Sequence, residues 1–491
     1  MADGISRRAI LKQTATIGAA AMLGGVASSV RAAVDADTAF MSAVQLAEKL
    51  RSKQVGSEEL TRFFISRIEQ YDPAINAVVV RDFERALAAA KAADKALASG
   101  GDVGPLHGLP VTVKESYDIA GLPSTWGIPQ AANNVAQADS SVVANYKRAG
   151  AVVMGKTNVP INLGDFQSYN AIYGTTNNPW DTSRTPGGSS GGSAAALAAG
   201  LTGLESGSDI GGSIRNPSHF CGVYGHKPTL GVISSQGHQP PGVPPNPQHP
   251  DLAVVGPMAR SAEDLALALE VCGGPNSLMA PGWKLDLPAP RMTSLKGLRV
   301  ALWPDEGLAP VDQEVSGRVQ AVGDRLAQLG AKVSDTARPE FNVGMANQTY
   351  MGILGGMMGM PGVELKFSDY LGLNGARGAL RVAWQKFFQD WDILLCPTTA
   401  TAAFPQDQSD INERTLTING EQRPYFEQVF WAGLATLCYL PSTVFPTGPS
   451  QSGLPIGLQA IGAEFDDRTT IEFTRLMAQE MGGFQVPPAY A

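Results

Sequence analysis

Two segments rich in glycine and serine, separated by an alanine-rich run, constrain this chain more than any other feature. The first spans residues 187–193 and reads GGSSGGS; the second spans residues 207–215 and reads GSDIGGSIR. Glycine is favoured where the backbone turns sharply or approaches a ligand closely. One short helix between the two segments can return both to the same place. Each would then supply serine hydroxyls and backbone N–H groups, the components of an activated nucleophile facing an oxyanion hole.

Common loop motifs account for this stretch only in part. A P-loop ends in Gly-Lys followed by Ser or Thr, but here Gly192 is followed by Ser193 and Ala194. The G-x-G-x-x-G spacing of a dinucleotide-binding loop and the S-x-x-K motif of β-lactamases do not occur here. Residues 187–191 do satisfy the G-x-S-x-G pattern of the α/β-hydrolase nucleophile elbow. A loop this rich in glycine and serine produces that match easily, so the match has little specificity.

The rest of the chain alternates between patterns typical of helices and of strands. Residues 41–71 predict two amphipathic helices, with Ser57 as the N-cap of the second, and residues 83–98 predict an Ala- and Lys-rich helix. Strands are predicted for the short run that ends at Lys114 and for residues 151–156, 298–303 and 392–397. This alternation indicates a layered α/β core. The proline-dense residues 237–250 are interpreted as a loop inside one domain.

Taken as a whole, the stretch from 187 to 215 resembles the signature of the amidase signature family, serine amidohydrolases with a Ser–Ser–Lys triad. Further segments share the resemblance: GKTN at 155–158, NPWD at 178–181, GVYGHKPT at 222–229 and LPIGLQ at 454–459. It covers nearly the whole chain after about residue 40. The resemblance implies an α/β fold, a single large domain with a central mixed β-sheet covered by helices on both faces.

The resemblance also implies a role for each member of the triad. Ser213 is the nucleophile, Ser189 is the bridging serine that follows a cis peptide bond, and Lys114 is the base. A neutral Lys114 would draw the proton of Ser189 while Ser189 draws that of Ser213, and the relay would return a proton to the leaving nitrogen. Lysine has an ordinary pKa of about 10.4, so burial or a nearby cation must lower it before Lys114 can act.

Residues next to the nucleophile have predicted supporting roles. The backbone N–H groups of Ile210, Gly211 and Gly212, together with that of Ser213 itself, are expected to form the oxyanion hole. Glycines at two of these positions leave room for the substrate carbonyl. The charged residues that flank this segment, Asp209 and Arg215, are interpreted as a supporting ion pair or as loop anchors.

Other reactive residues are expected not to take part. His219 and His226 could suggest a Ser–His–Asp triad, but we interpret both as structural or pocket-lining. The cysteines, which show no C-x-x-C spacing, are expected to be reduced and in the core; they are Cys221, Cys272, Cys396 and Cys438. No dense pattern of His, Asp and Glu suggests a metal site. We therefore expect neither a metal nor another cofactor.

Residues 1–32 predict a removable twin-arginine (Tat) export signal, which leaves residues 33–491 as the amidase domain. Arg7 and Arg8 form the twin-arginine pair, an apolar stretch from Ala15 to Val26 follows, and small residues precede Ala33. The mature protein is thus expected in the periplasm or outside a bacterial cell. No later stretch approaches about 18 apolar residues without a charge, so no stable membrane insertion is expected once the signal is cleaved.

Composition limits the partners. The formal charge of −8 and the lack of a basic run argue against nucleic acid. The resemblance implies a small-molecule amide as the substrate, and a homodimer is compatible with the sequence. The predicted reaction is hydrolysis of a carboxylic amide to acid and amine through an acyl-enzyme on Ser213. The alternatives are the glutaminase-type subunit of a tRNA-dependent amidotransferase, a carbamate or ester hydrolase of the same family, and a non-catalytic amide-binding relative. Substrate choice is expected to depend on residues 160–173, 237–250 and 344–362.

Overall fold

The helices predicted in residues 41–71 and 83–98 are present in the structure. The structure, a computed structural model, describes residue 34, residues 36–360 and residues 362–491. The predicted export signal lies outside these residues. The helices are α1 Ala43–Arg51, α2 Ser57–Ile75, α3 Phe83–Ala98, α4 Ser141–Arg148, α5 Gly191–Ala198, α6 Arg215–Cys221, α7 Ala262–Cys272, α8 Gln313–Gln328, α9 Val343–Met358, α10 Phe367–Asp390, α11 Val429–Thr436 and α12 Asp467–Met481.

The two helices predicted in residues 41–71 are α1 and α2, but the predicted N-cap of α2 is wrong. Gly56 occupies the cap position, and Ser57 is the first helical residue. Asp94 of α3 accepts the backbone N–H of Ser57 at 2.6 Å and that of Glu58 at 3.0 Å. A carboxylate from another helix therefore satisfies the free N–H groups that a cap serine would otherwise serve.

The strands are β1 Val78–Arg81, β2 Pro110–Lys114, β3 Val152–Thr157, β4 Tyr169–Asn170, β5 Gly174–Thr175, β6 Glu205–Asp209, β7 Tyr224–Lys227, β8 Val254–Ala259, β9 Arg299–Leu302, β10 Lys332–Ser334, β11 Ile393–Pro397, β12 Thr415–Ile418, β13 Glu421–Pro424, β14 Ser442–Pro449 and β15 Pro455–Ile461. The four predicted strands are β2, β3, β9 and β11, each within two residues of its expected bounds. Between Lys227 and Val254 the chain forms no helix or strand, as expected for the proline-dense loop.

One large mixed sheet forms the centre of the unit that spans residues 34–491. Its strand order is β10-β9-β11-β15-β14-β7-β8-β6. The pairs β10–β9 and β9–β11 are parallel, and the pairs from β11 to β6 are antiparallel. Every residue of β11 and of β15 is buried. Because neighbouring side chains of a strand point to opposite faces, both faces of this sheet are covered, which confirms the predicted fold class.

A smaller sheet brings Lys114 to the edge of the large one. Its order is β1-β3-β2, with β2 parallel to β3 and β1 antiparallel to it. The N–H of Thr112 in β2 donates to the Leu204 carbonyl at 3.4 Å and to Thr202 Oγ1 at 3.0 Å, just before β6. The end of β2 therefore lies beside β6, which leads into the second Gly/Ser segment. Among the helices of the described residues, none is long and apolar enough to cross a membrane.

Candidate active site

The two Gly/Ser segments lie against each other, although most of helix α5 and the start of β6 separate them along the chain. The N–H of Ser190, which ends the turn before α5, donates to the Ser213 carbonyl at 3.1 Å. Ser190 Oγ accepts the N–H of Ser208 at 3.3 Å. The alanines of α5 are fully buried, so the helix can pack closely on β6, which returns the chain to the first segment. The structure thus brings together the segments that the sequence placed about twenty residues apart.

Lys114, the last residue of β2, contacts both segments. Its side chain is fully buried, and Nζ donates to Ser189 Oγ at 2.7 Å and to Ser208 Oγ at 2.9 Å. Burial lowers the pKa of Lys114 to about 7, although the Asp209 and Glu205 carboxylates oppose that effect. A large fraction of the lysine is therefore neutral at physiological pH, as a base must be.

The peptide bond between Gly188 and Ser189 is cis, the conformation that the resemblance implied at this position. Gly188 packs directly on the backbone of a neighbouring segment. A Cβ atom at residue 188 would lie 2.3 Å from the carbonyl oxygen of Asp165 and 2.6 Å from that of Gln167. Only glycine fits so close to other backbone atoms.

Ser213 lies in the turn between β6 and α6, and the Asp209–Arg215 ion pair holds this turn. Arg215 Nε donates to Asp209 Oδ2 at 3.0 Å, and Nη2 donates to Oδ1 at 2.9 Å; both side chains are buried. Burial acts to raise the pKa of Asp209, but Arg215 overrides it and lowers this pKa to about 2. The remaining guanidinium N–H groups donate to the Ala432 carbonyl, Gln459 and Thr436.

The geometry divides the residues predicted for the oxyanion hole into two groups. The N–H of Gly212 donates to Asp209 Oδ1 at 2.9 Å, so it is already engaged and points towards the ion pair. The N–H groups of Ile210, Gly211 and Ser213 donate to no acceptor within the described part of the chain. Gly212 has a φ of +105°, which glycine adopts without strain. Ile210 and Gly211 are therefore better placed than Gly212 to bind a substrate oxygen.

Two polar residues of β6 that sequence reasoning left without a role belong to the site. Ser208 is the second hydroxyl on Lys114. Glu205 is fully buried, accepts the Thr112 hydroxyl at 2.5 Å and the Ser206 N–H at 3.0 Å, and burial raises its pKa to about 7. The sequence did contain a signal for Glu205, because it is an acidic residue among the small residues of β6, four positions before Asp209.

The histidines lie outside the serine–lysine arrangement. His219 Nδ1 lies 2.8 Å from the Gly457 carbonyl oxygen, and Nε2 lies 2.9 Å from that of Thr401. His226 contacts Thr443 and Asp467. Burial and then Lys114 lower the pKa of His238 to about 3, so this ring, 2.8 Å from Ser116 Oγ, is neutral. Each histidine thus has structural partners, and a Ser–His–Asp triad has no support.

The cysteines lie in the core, as the sequence predicted. Cys221, Cys272, Cys396 and Cys438 are free and buried, as predicted. Within the described ranges, no group of three or more His, Cys, Asp or Glu side chains could hold a metal ion.

A buried lysine beside a serine that follows a cis peptide bond, facing a glycine turn with a second serine, defines the class of Ser–Ser–Lys amidohydrolases. The family model described as Amidase matches residues 59–358 and 364–471. The chain therefore belongs to the amidase signature family, and it is an amide hydrolase.

Named relatives agree with this assignment. Fatty-acid amide hydrolase 2-A from Danio rerio is 32% identical over 91% of this chain and 90% of its own length. A glutamyl-tRNA(Gln) amidotransferase subunit from Cyanothece sp. (strain PCC 7425 / ATCC 29141) is 31% identical over 85% of this chain and 93% of its own. The crystal structure of a bacterial aryl acylamidase of the amidase signature family superposes with a TM-score of 0.76, at 26% identity, over 90% of this chain and 96% of the other.

Proposed function

We propose that this amidase cleaves its substrate through an acyl-enzyme on Ser213, with Ser189 and Lys114 as the proton relay. The observation that supports the relay best is the contact of 2.7 Å between Lys114 Nζ and Ser189 Oγ in a fully buried setting. Neutral Lys114 takes the proton of Ser189, and Ser189 takes that of Ser213 as Ser213 Oγ attacks the carbonyl carbon.

The later steps follow from the same groups. The negative charge that forms on the carbonyl oxygen is stabilised by the free N–H groups of Ile210 and Gly211. As the C–N bond breaks, the relay returns the proton to the leaving nitrogen. Water then attacks the ester of Ser213, gives its proton to the relay, and releases the acid and the free enzyme.

The residues beside the glycine turn favour a substrate with an apolar acyl group. A Cβ atom on Gly211 would lie 3.4 Å from Val429 Cγ2, and one on Gly212 would lie 3.2 Å from Ala432 Cβ and 3.9 Å from Phe166 Cε1. An apolar wall disfavours a charged acyl group, because a buried charge needs a partner. Two relatives, named as a fatty-acid amide hydrolase and an aryl acylamidase, support the same class.

Labelling and a substrate panel test these proposals. A fluorophosphonate should add once to the wild-type protein and not to Ser213→Ala, as measured by intact mass. Ser193→Ala is the matched control and should label normally, because Ser193 is a neighbouring serine that bonds Thr157 and not Lys114.

The substrate panel tests the acyl preference. Hexanamide and benzamide should be hydrolysed with a higher kcat/KM than the anionic amide succinamate. Labelling of Ser213→Ala, or a preference for succinamate, would contradict the corresponding proposal.

The similarity to the amidotransferase subunit supports a second candidate, a glutaminase that passes ammonia to a partner protein. The predicted export signal disfavours it, because that role is cytosolic. Co-purification with partner proteins together with glutaminase activity would favour the second candidate over the first.

We also propose that the mature enzyme is periplasmic or secreted and acts on small amides without nucleic acid.

A further inference from the structure

Tyr350 lies against the turn that bears the nucleophile, although it is far from that turn in sequence. It belongs to α9 and is only 1% exposed. Its hydroxyl donates to the carbonyl oxygen of Ile210 at 2.9 Å. No motif of the signature stretch includes this tyrosine.

The Tyr350 contact fixes the direction of a neighbouring N–H group. The peptide bond between Ile210 and Gly211 is trans, so its C=O and N–H point in opposite directions in one plane. With the Ile210 carbonyl directed at Tyr350, the Gly211 N–H must point away from α9. That N–H has no acceptor in the part of the chain that the structure describes.

The next peptide plane is held from the other side. The N–H of Gly212 donates to Asp209 Oδ1 at 2.9 Å, which turns the Gly211 carbonyl away from the ion pair. Two anchors, Tyr350 and Asp209, thus fix successive planes of a segment that its glycines would otherwise leave flexible.

The packing around Tyr350 keeps its hydroxyl in place. A Cβ atom on Gly433 of α11 would lie 2.5 Å from ring atom Cδ1, so the ring rests on the glycine backbone. The cavity beside the ring is apolar, with Phe341, Leu380, Trp384 and Phe430 in its wall. Burial raises the pKa of the phenol well above its usual range, so the hydroxyl keeps the proton that it donates.

We propose that Tyr350 is a positioning residue for amide hydrolysis: its hydroxyl bond to the Ile210 carbonyl directs the Gly211 N–H at the oxyanion of the tetrahedral intermediate. This proposal rests on the proposed function, because it requires an acyl transfer to Ser213. It assigns a part in catalysis to α9, a helix that the sequence associated with substrate choice.

Tyr350→Phe is the direct test, because it removes the hydroxyl and keeps the ring on Gly433. Loss of a whole oxyanion donor costs about 10²–10³-fold in kcat, and a donor that is merely misdirected should cost less, about 5- to 50-fold, with KM nearly unchanged. A trifluoromethyl ketone forms an adduct with Ser213 that carries an oxyanion. Its affinity should fall in Tyr350→Phe by the same factor as kcat/KM.

In a Ser213→Ala background, a neutral amide should bind equally well with and without the Tyr350→Phe substitution. Tyr439→Phe, which loses a bond of 2.7 Å to Asp251 and none to the turn that bears Ser213, is the control and should keep wild-type kcat.

A second variant covers the case in which Tyr350→Phe folds poorly. Gly433→Ala should displace the ring, reproduce the losses in kcat and ketone affinity, and add little to Tyr350→Phe. The proposal is overturned if either folded variant keeps wild-type kcat and ketone affinity, or if kcat falls while ketone affinity does not. If Ser213→Ala itself remains active, the proposed function fails. If Ser213→Ala is inactive and Tyr350→Phe is normal, only this inference fails.

Discussion

Ser208 Oγ lies 2.9 Å from Lys114 Nζ, so the buried lysine contacts one hydroxyl from each Gly/Ser segment. An acceptor on an ammonium group stabilises its charged form and raises its pKa. Ser208 therefore acts with the Asp209 and Glu205 carboxylates against the burial that lowers the pKa of Lys114. The balance of these effects sets the pH range in which the proposed relay can work.

The activity should rise with pH and level off above the pKa of Lys114, which lies at about 7. Below that pH the lysine is protonated and cannot accept the proton of Ser189, so log kcat/KM should fall with a slope of 1. Ser208→Ala removes an acceptor from the charged form and should move the midpoint down by about one pH unit.

Lys227 provides the control for this assignment. It is another fully buried lysine, and burial and then Arg215 lower its pKa to about 7. Its Nζ donates to the Pro228 carbonyl and has no bond to the catalytic serines. If the midpoint moves in Lys227→Met and stays fixed in Ser208→Ala, the titrating group is Lys227 and the assignment to Lys114 is wrong.

Single and combined substitutions of the relay should show strong non-additivity. Ser213→Ala should abolish turnover, and Ser189→Ala and Lys114→Ala should each reduce kcat by at least about 10²–10⁴-fold in folded protein. Because the three groups act as a unit, the triple variant should be little worse than Ser213→Ala. Circular dichroism establishes folding, and single-turnover kinetics measure the chemical step. Multiplicative losses would indicate separate roles in place of a relay.

Arg215→Met should destabilise the fold, since it leaves the Asp209 carboxylate buried without its cation. Breaking such a pair costs about 3–5 kcal/mol in the free energy of unfolding, measured by urea titration. Arg325→Met, which loses an exposed contact to Glu480, should cost at most about 1 kcal/mol. Equal effects from the two variants would contradict a special role for the buried pair.

The same pair predicts an acid dependence. The folded pKa of Asp209 is lowered to about 2, against about 3.9 in an unfolded chain. A lowered pKa contributes stability that is fully present above about pH 4 and is lost as the pH falls towards 2. The difference in unfolding free energy between the wild type and Arg215→Met should therefore shrink over that interval.

Export should depend on the twin arginines, which lie outside the described residues. Replacement of Arg7 and Arg8 by lysine should trap the precursor in the cytoplasm, as measured by fractionation and immunoblotting. N-terminal sequencing of the exported protein should begin at or near Ala33. Unchanged export of the lysine variant would rule out the Tat route.

Catalysis should need no metal ion, because in the proposed mechanism Lys114 supplies the base and backbone N–H groups bind the oxyanion. Dialysis against EDTA should leave kcat/KM unchanged. Loss of activity that added zinc restores would contradict the proposed mechanism.

The sequence predicted what contiguous motifs encode. The strand that ends at Lys114 follows from alternating residues, and the pairing of Asp209 with Arg215 joins charges six residues apart. The cis bond before Ser189 was implied by the resemblance to the family and not by the spacing of glycine and serine.

Contacts between distant residues were not predictable in this way. Nothing in the spacing indicates that Tyr350 meets Ile210, or that Asp94 caps α2 in place of Ser57. The engagement of Gly212 by Asp209 also escaped the motif, because a pattern of residue types does not give the direction of an N–H group. The Tyr350 and Asp94 contacts depend on how helices pack after the segments are formed.

The position of the hairpin β14–β15 in the large sheet has a consequence for synthesis on the ribosome. This hairpin lies between β11 and β7, yet it is made after both. Until residue 461 has been translated, the two halves of the sheet have no strand to join them. Arg215 meanwhile lacks Gln459, its partner at 2.9 Å. A nascent or prematurely terminated chain should thus be devoid of activity, since about the last tenth of the polypeptide completes a site whose proposed catalytic residues all emerge in the first half.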